Sequence, residues 1–341
     1  MKRDFFLGHH GERKLHTGWL QFNVWLLLLF LLLLYQRVGI DILLTDIKIP
    51  ASPGFFFKKY SAMAKRIVIQ GGYGAFHEIA AMHYFENQEI EILPRNTFKE
   101  VVTSLKKHNV DYGIMAIENS IAGSILPNYS LLRESAMRII GEIYLRIKQN
   151  LVALPGQTID DIREVYSHPM AILQCQQFFD QYENIRLVES VDTALSAKEL
   201  KEKGLKGIGA IASELAADKY DLEIIAEGIE TNKMNYTRFL ILSENNHHNI
   251  LKDGFNKSSV YFALAHQIGC LSKVLSILSY YNINLTKIQS LPIIGKDWEY
   301  QFYVDLEFSD ISLYRQSLQA IGPFTSDLGI LGEYMKGKSI I

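Results

Sequence analysis

Arg66-Ile67-Val68-Ile69-Gln70 runs directly into Gly71-Gly72-Tyr73-Gly74, and apolar residues then recur at helical spacing over 76–85. A β-branched run, a glycine turn and an amphipathic helix make one βα unit. The unit repeats. Residues 89–93 read as a strand, and Thr97 with Glu100 forms a capping box for a helix over 98–108. Residues 112–117 read as a strand and 128–135 as a helix, and 138–147 and 151–154 as extended strands crossing between two lobes. Pro155-Gly156 breaks the chain before Ser167-His168-Pro169, where Pro169 suits the first turn of a helix reaching 182. A strand at 186–191 follows, then Asp192 as the cap of a helix over 193–203. A short buried strand at 208–211, a helix from Glu214 and a strand at 237–242 close the region. Repeated βα units imply parallel or mixed sheets with helices on both faces, and two such lobes leave a cleft between them.

The pattern then changes. Residues 244–257 are polar and read as a linker; His247-His248 has no third ligand nearby, so a solvated loop is the simpler reading than a metal site. Strands at 259–265, 284–290, 298–307 and 328–334 alternate with helices at 269–281 and 311–320. This βαββαβ order is ferredoxin-like.

A chain of 341 residues has room for two or three domains. A net charge of −2 and no dense Lys/Arg cluster in the folded part argue against nucleic acid as a partner. Cys175 and Cys270 are the only cysteines, too few for a disulfide framework or a four-cysteine zinc site, and both fit apolar helical patterns. A reducing cytoplasm fits that usage. Gly71-Gly72-Tyr73-Gly74 lacks G-x-G-x-x-G spacing, so it is not read as a nucleotide loop.

Residues 1–62 stand apart. Trp19 to Tyr35 carries a run of about 17 residues, mostly apolar, near the lower limit for a bilayer span, preceded by Lys2, Arg3, Arg13 and Lys14. Three readings stay open: a dispensable upstream extension with Met63 as the working start, a membrane anchor, or a cleaved targeting segment. Membrane contact is expected only if the run is a genuine span.

Three polar motifs fall at strand ends, where open α/β sheets bind ligands. They are Glu118-Asn119-Ser120-Ile121-Ala122-Gly123, then Ser167-His168-Pro169-Met170-Ala171-Ile172-Leu173-Gln174-Cys175, then Asn235-Tyr236-Thr237-Arg238-Phe239. Asn119, Ser120, Gly123, Ser167, His168, Gln174 and Ser213 are candidate ligand contacts, since hydroxyls, amides and helix N-termini suit anions. Arg238 is a natural bidentate partner for a carboxylate. His168 can equally cap its own loop. Gln174 reads as a ligand contact or a loop anchor.

In this order and spacing the motifs resemble prephenate dehydratase, over about residues 65–242, and the segment 258–336 resembles the ACT regulatory domain that accompanies it. The resemblance implies a two-lobed, periplasmic-binding-protein-like catalytic domain at 63–243, a linker at 244–257 and an ACT domain at 258–337. It implies decarboxylative dehydration of prephenate to phenylpyruvate with no metal or organic cofactor. It makes Thr237 the catalytic residue, a hydrogen-bond donor to the departing oxygen, with Phe239 walling the site and holding Arg238. It implies phenylalanine as effector, bound between subunits, and hence a homodimer or homotetramer.

Departures are specific. Ala75, Phe76 and His77 stand where the family carries hydroxyl residues. Gly269-Cys270-Leu271 replaces Gly-Ala-Leu, and Gln289-Ser290-Leu291-Pro292 replaces Glu-Ser-Arg-Pro, while Asn284-Leu285-Thr286-Lys287-Ile288 keeps the frame. Those seven residues, 269–271 and 289–292, are the expected effector contacts. Arogenate dehydratase and a non-catalytic solute-binding protein are the competing readings. No chorismate mutase domain is read in residues 1–62.

Overall fold

The computed structural model describes residues 64–244, 254–296 and 299–340. All but a handful of the chain's motifs fall there; the apolar run at 19–35 and the histidines at 247–248 lie outside the described residues. The described residues belong to one unit, Ser61–Ile341.

The first lobe begins with β1 (Lys65–Gln70), α1 (Phe76–Tyr84), β2 (Ile90–Arg95), α2 (Phe98–Lys106) and β3 (Tyr112–Asn119). β1 pairs in parallel with both β2 and β3, as βα units require. The capping box at Thr97 forms as expected: its side chain accepts from the Glu100 N–H, and Glu100 accepts from the Thr97 N–H in return. β4 (Gly123–Ser124), α3 (Leu126–Ser135) and β5 (Arg138–Arg146) complete the outward run.

The chain then crosses into a second sheet, ordered β10-β6-β9-β7-β8. Its elements are β6 (Asn150–Ala153), β7 (Glu164–Ser167), α4 (Pro169–Phe179), β8 (Arg186–Glu189), α5 (Thr193–Lys203), β9 (Ile208–Ala212), α6 (Glu214–Lys219) and β10 (Glu223–Ala226). β7 is parallel to β8 and β9, while β6 is antiparallel to β9 and β10, so the sheet is mixed. Asp192 and Ser213 cap α5 and α6 through their side chains, and Pro169 occupies the first turn of α4. Residues 147–149 and 227–235 are the two crossings.

The return strand is β11 (Tyr236–Ser243), inserted between β3 and β5 and antiparallel to both. Its alternate residues serve two cores. Phe239 and Ile241 pack with Ile67, Ile69, Ile143 and Leu145 beneath α1. Leu240 and Leu242 pack with Val68, Met115, Leu132 and Ile139 on the opposite face.

The C-terminal module comprises β12 (Lys257–Leu264), α7 (Cys270–Tyr280), β13 (Asn284–Pro292), β14 (Tyr300–Glu307), α8 (Ile311–Ile321) and β15 (Ser326–Tyr334). Its strands run β13-β14-β12-β15, the order of a split βαβ fold, with its helices packed on one face. The module extends the first lobe's sheet through a single pair, Gly332 opposite Ile139. A Cβ on Gly332 would strike the Ile139 carbonyl oxygen, so glycine permits the approach. The other face of the module joins the lobe's own core: Tyr303, Leu331 and Tyr334 are buried with Leu240 and Leu242. Each such buried side chain contributes about 1.5–3 kcal/mol. β16 (Ser339–Ile340) then pairs with β5.

Candidate active site

β3 and β11 are in a register that puts Thr237 opposite Asn119 and Arg238 opposite Glu118. The Thr237 side of this ladder carries a chain of amides. Asn119 Oδ1 accepts the backbone N–H groups of Ile121 and Ala122, both at 2.9 Å. That fixes which end of the amide is nitrogen. Asn119 Nδ2 then donates to Asn235 Oδ1 at 2.7 Å, to the Tyr236 carbonyl at 3.2 Å and to Thr237 Oγ1 at 3.0 Å. Asn235 Nδ2 in turn donates to Gln174 Oε1 at 2.9 Å.

The polarity of this chain decides what it can do. Thr237 Oγ1 accepts from Asn119, and its own proton has no acceptor among the described residues. Gln174 accepts through Oε1, and its Nε2 hydrogens have no partner among the described residues. His168 accepts the Met170 N–H on Nδ1 at 3.2 Å, which leaves its Nε2 as the donor of the neutral ring. α1 begins at Ala75 with no side-chain cap, and the N–H groups of Phe76 and His77 have no partner among the described residues. An uncapped helix start favours an anion. Hydroxyl, amide, imidazole and helix-start donors are the groups a dicarboxylate with a departing hydroxyl needs.

Several expected contacts are engaged elsewhere. Ser120 Oγ donates to the Met234 carbonyl at 3.0 Å and accepts the Tyr236 N–H at 2.9 Å, locking β3 to the strand before Thr237. Ser167 is fully buried and donates to the Ile211 carbonyl at 2.8 Å. Ser213 caps α6 by accepting the Ala216 N–H at 3.0 Å and donates to the Gly74 carbonyl at 2.6 Å. Gly123 is exposed at φ +82° with open space around its Cα, so it shapes the loop after Asn119.

Arg238 requires a correction. It is 3% exposed and points away from Thr237, as the next residue on a strand must. Its Nε donates to Glu142 at 2.7 Å, Nη1 to Glu118 at 3.2 Å and to Asp305, and Nη2 to the Tyr334 hydroxyl at 3.1 Å. Burial opposes the Arg238 charge, but Asp305 and Glu142 outweigh it and hold its pKa well above the ordinary value. Three carboxylates therefore occupy the fork that the sequence assigned to substrate. Phe239 is corrected with it: the ring is 1% exposed within the core beneath α1, so it offers no surface to a ligand, and it lies on the face opposite Arg238, so it does not hold that side chain.

Two contributors were not among the contacts named from the sequence, although Asn235 opens one of its quoted motifs. Asn235, fully buried, joins Asn119 to Gln174; it is two residues before Thr237 on an extended segment, and that parity was a usable signal. The other is the bare start of α1.

The two lobes also meet beside the site. Glu78 Oε2 accepts the Gly74 N–H at 2.6 Å, Glu78 Oε1 pairs with Lys219 at 2.9 Å, and Tyr220 donates to the Tyr73 carbonyl at 3.0 Å. Gly74, at φ +85°, could not carry a Cβ, which would lie 2.6 Å from the Ala216 Cα. Among the described residues no group of three His, Cys, Asp or Glu is placed to hold a metal ion. Cys175 is buried, and burial pushes its thiol up to about 12; Cys270 is half-buried.

His77 is partly buried against Phe98 and Phe239, with its ring 4.9 Å from that of Phe239. Its Nε2 accepts the Ala116 N–H at 3.4 Å, and burial lowers its pKa from 6.5 to about 3. The folded state therefore binds fewer protons than the unfolded one between these values, and stability falls with acidification below about pH 6.5. The expected loss from His77 between pH 7 and pH 5 is up to about 2 kcal/mol. In His77→Phe that portion disappears. Denaturant titrations of both proteins at the two pH values check this; equal pH slopes would remove His77 as the cause.

A family model described as prephenate dehydratase matches residues 67–247. A protein of Arabidopsis thaliana named arogenate dehydratase/prephenate dehydratase 2, chloroplastic, is 36% identical over 79% of this chain and 72% of its own length. A bifunctional chorismate mutase/prephenate dehydratase of Aquifex aeolicus is 31% identical over 80% of this chain and 74% of its own length. Among solved structures, the prephenate dehydratase of Arthrobacter aurescens in complex with L-Phe is 25% identical, with a TM-score of 0.71, covering 80% of this chain and 90% of that one. GqqA, titled a novel type of quorum quenching acylase, is 29% identical, with a TM-score of 0.72, covering 80% of this chain and 98% of that one.

Proposed function

Because the chain belongs to the prephenate dehydratase family, we propose that it converts prephenate to phenylpyruvate in the synthesis of phenylalanine. The observation that carries the reading is the Thr237 proton, left without an acceptor among the described residues while the Asn119 amide donates to its oxygen. In the reaction the bond to the ring carboxylate breaks and releases CO2, its electron pair enters the ring, and the ring hydroxyl leaves as water with one proton drawn from solvent. Aromaticity drives the step, so the protein needs only to hold the dianion and assist the departing oxygen. Thr237 hydrogen-bonds that oxygen. Gln174, His168 and the N–H groups of Phe76 and His77 hold carboxylates. Asn119, Asn235, Ser120, Ser167 and Ser213 fix the walls on which these donors stand.

The acylase reading of the same fold finds less support. Acyl transfer needs a nucleophile beside a base, and the side-chain partner of Thr237 is an amide donor, which accepts no proton. Arogenate, with an amino group where prephenate has a keto group, is the alternative substrate. Relatives are named for both.

We assign residues 63–243 to catalysis, 244–257 to a linker and 258–337 to an ACT domain. The ends of β12 and β13 support effector binding, since Leu264 and Pro292 both pair with Tyr300 and so lie at one end of the sheet. That brings 269–271 and 289–292 to the same side. A pocket of about 140 Å³ at that end is lined by Leu264, His266, Cys270, Leu271, Tyr300 and Phe302, and residues 289–292 stand outside its lining. Ligand sites usually need about 300 Å³ or more, so a second subunit would supply the rest, as a homodimer or homotetramer does. β13 is an edge strand, open to such pairing. A cytoplasmic site of action fits the chemistry; among the described residues no helix is long and apolar enough to cross a membrane.

The test is turnover of prephenate and of arogenate, side by side, with and without millimolar phenylalanine. Phenylpyruvate formation suppressed by phenylalanine is expected. Turnover of arogenate alone would shift the substrate, and turnover of neither would overturn the reading.

A further inference from the structure

The rung next to Thr237 is held by the C-terminal module. Glu118 divides its two carboxylate oxygens. Oε1 accepts from Arg238, and Oε2 accepts from Lys287 of β13. Arg238 is also bonded by Asp305 of β14 and by Tyr334 of β15. Asp305 is itself anchored by the Ser259 hydroxyl of β12. All four strands of the module thus reach the Arg238–Glu118 rung, while Asn119 and Thr237 form the adjoining rung toward the ligand.

The contacts differ in kind. Asp305, Tyr334 and Glu142 hold Arg238 from within a closed interior. Lys287 alone comes from the edge strand, with a side chain 22% exposed, and it lies two residues before Gln289. A displacement of β13 would therefore act first on Lys287 and Glu118, and then on Asn119, which is covalently next to Glu118 and orients Thr237.

We propose that Lys287 is a positioning residue for Thr237: by holding Glu118 it sets the Arg238–Glu118 rung, and it transmits the state of β13 to the Asn119–Thr237 rung. The proposal rests on the dehydratase reading and deepens it, since it names the route by which an effector on the module would alter turnover. Lys287 is not a substrate contact. Its charge serves only to keep one carboxylate in register.

The experiment uses the full chain with Lys287→Met and Lys287→Arg. For Lys287→Met, kcat on the better substrate is expected to fall about tenfold with KM within about twofold, as loss of alignment rather than of binding predicts. Amide hydrogen exchange is expected to rise in segments 116–122 and 234–240. Lys287→Arg restores both, and phenylalanine no longer changes kcat in Lys287→Met. An unchanged kcat and exchange pattern in Lys287→Met would overturn the proposal, as would a loss that Lys287→Arg does not rescue. Wild-type protein inactive on both substrates would instead sink the dehydratase reading, and the exchange comparison would still decide the positioning claim.

Discussion

Thr237→Val is expected to reduce kcat by about 10³-fold, the scale of losing one donor aimed at the charge that develops in a transition state. Valine has nearly the shape of threonine, so packing beside Leu145 and Asn119 is kept. The fold loses one neutral hydrogen bond, from Asn119 Nδ2, worth about 1 kcal/mol; that nitrogen keeps Asn235 and Tyr236 as acceptors. Thr237→Ser retains the hydroxyl and its acceptor role but gains rotameric freedom, so a loss of about tenfold is expected. Steady-state kinetics with thermal unfolding checks both. Near-normal turnover by the valine protein at unchanged stability would remove Thr237 from the chemistry.

Arg238→Met is expected to destabilise the fold by about 3–5 kcal/mol, the cost of leaving buried charges without their partner. Glu142 and Asp305 are 2% and 6% exposed. Glu142 keeps Lys257 at 2.9 Å, but among the described residues Asp305 keeps the Ser259 hydroxyl as its one side-chain hydrogen bond, with Lys257 as a weaker attraction. The pH dependence separates this cause from lost packing. Burial raises the Asp305 carboxyl, yet Arg238 and the hydrogen bonds from Arg238 and Ser259 outweigh it and hold it below the ordinary value. A depressed carboxyl contributes stability that is present above the unfolded pKa of about 3.9 and is lost as pH falls through the folded value. Without Arg238 burial dominates, the folded pKa rises, and the penalty sits above that pKa and is relieved on acidification. The gap between wild type and variant should therefore narrow from pH 7 to pH 5. Chemical denaturation at several pH values decides it; a constant gap would point to packing alone.

The local grammar of the fold was legible. Capping at Thr97 and Asp192 and Pro169 in a first turn followed from short-range chemistry, and the structure contains each; the strands at 138–147 and 151–154, expected to cross between the lobes, instead belong one to each sheet, and the chain crosses at 147–149 and 227–235. β10 was missed because a four-residue strand carries too little periodicity. The error at Arg238 had a physical signal: neighbours on a strand face opposite ways, so Thr237 and Arg238 cannot both meet one ligand. The serines were different. Ser120, Ser167 and Ser213 bond carbonyls of Met234, Ile211 and Gly74, which lie 114, 44 and 139 residues away along the chain. No local pattern announces such partners. The charges that fasten Arg238 were equally hidden, since Glu118, Glu142 and Asp305 converge only when β3, β5 and β14 are placed around β11.

The bonds of Ser213, Lys219 and Tyr220 to Gly74, Glu78 and Tyr73 tie one lobe to the other. Any motion that parts the lobes at this point must break them first, so the stiffness of the pair there rests on three polar contacts.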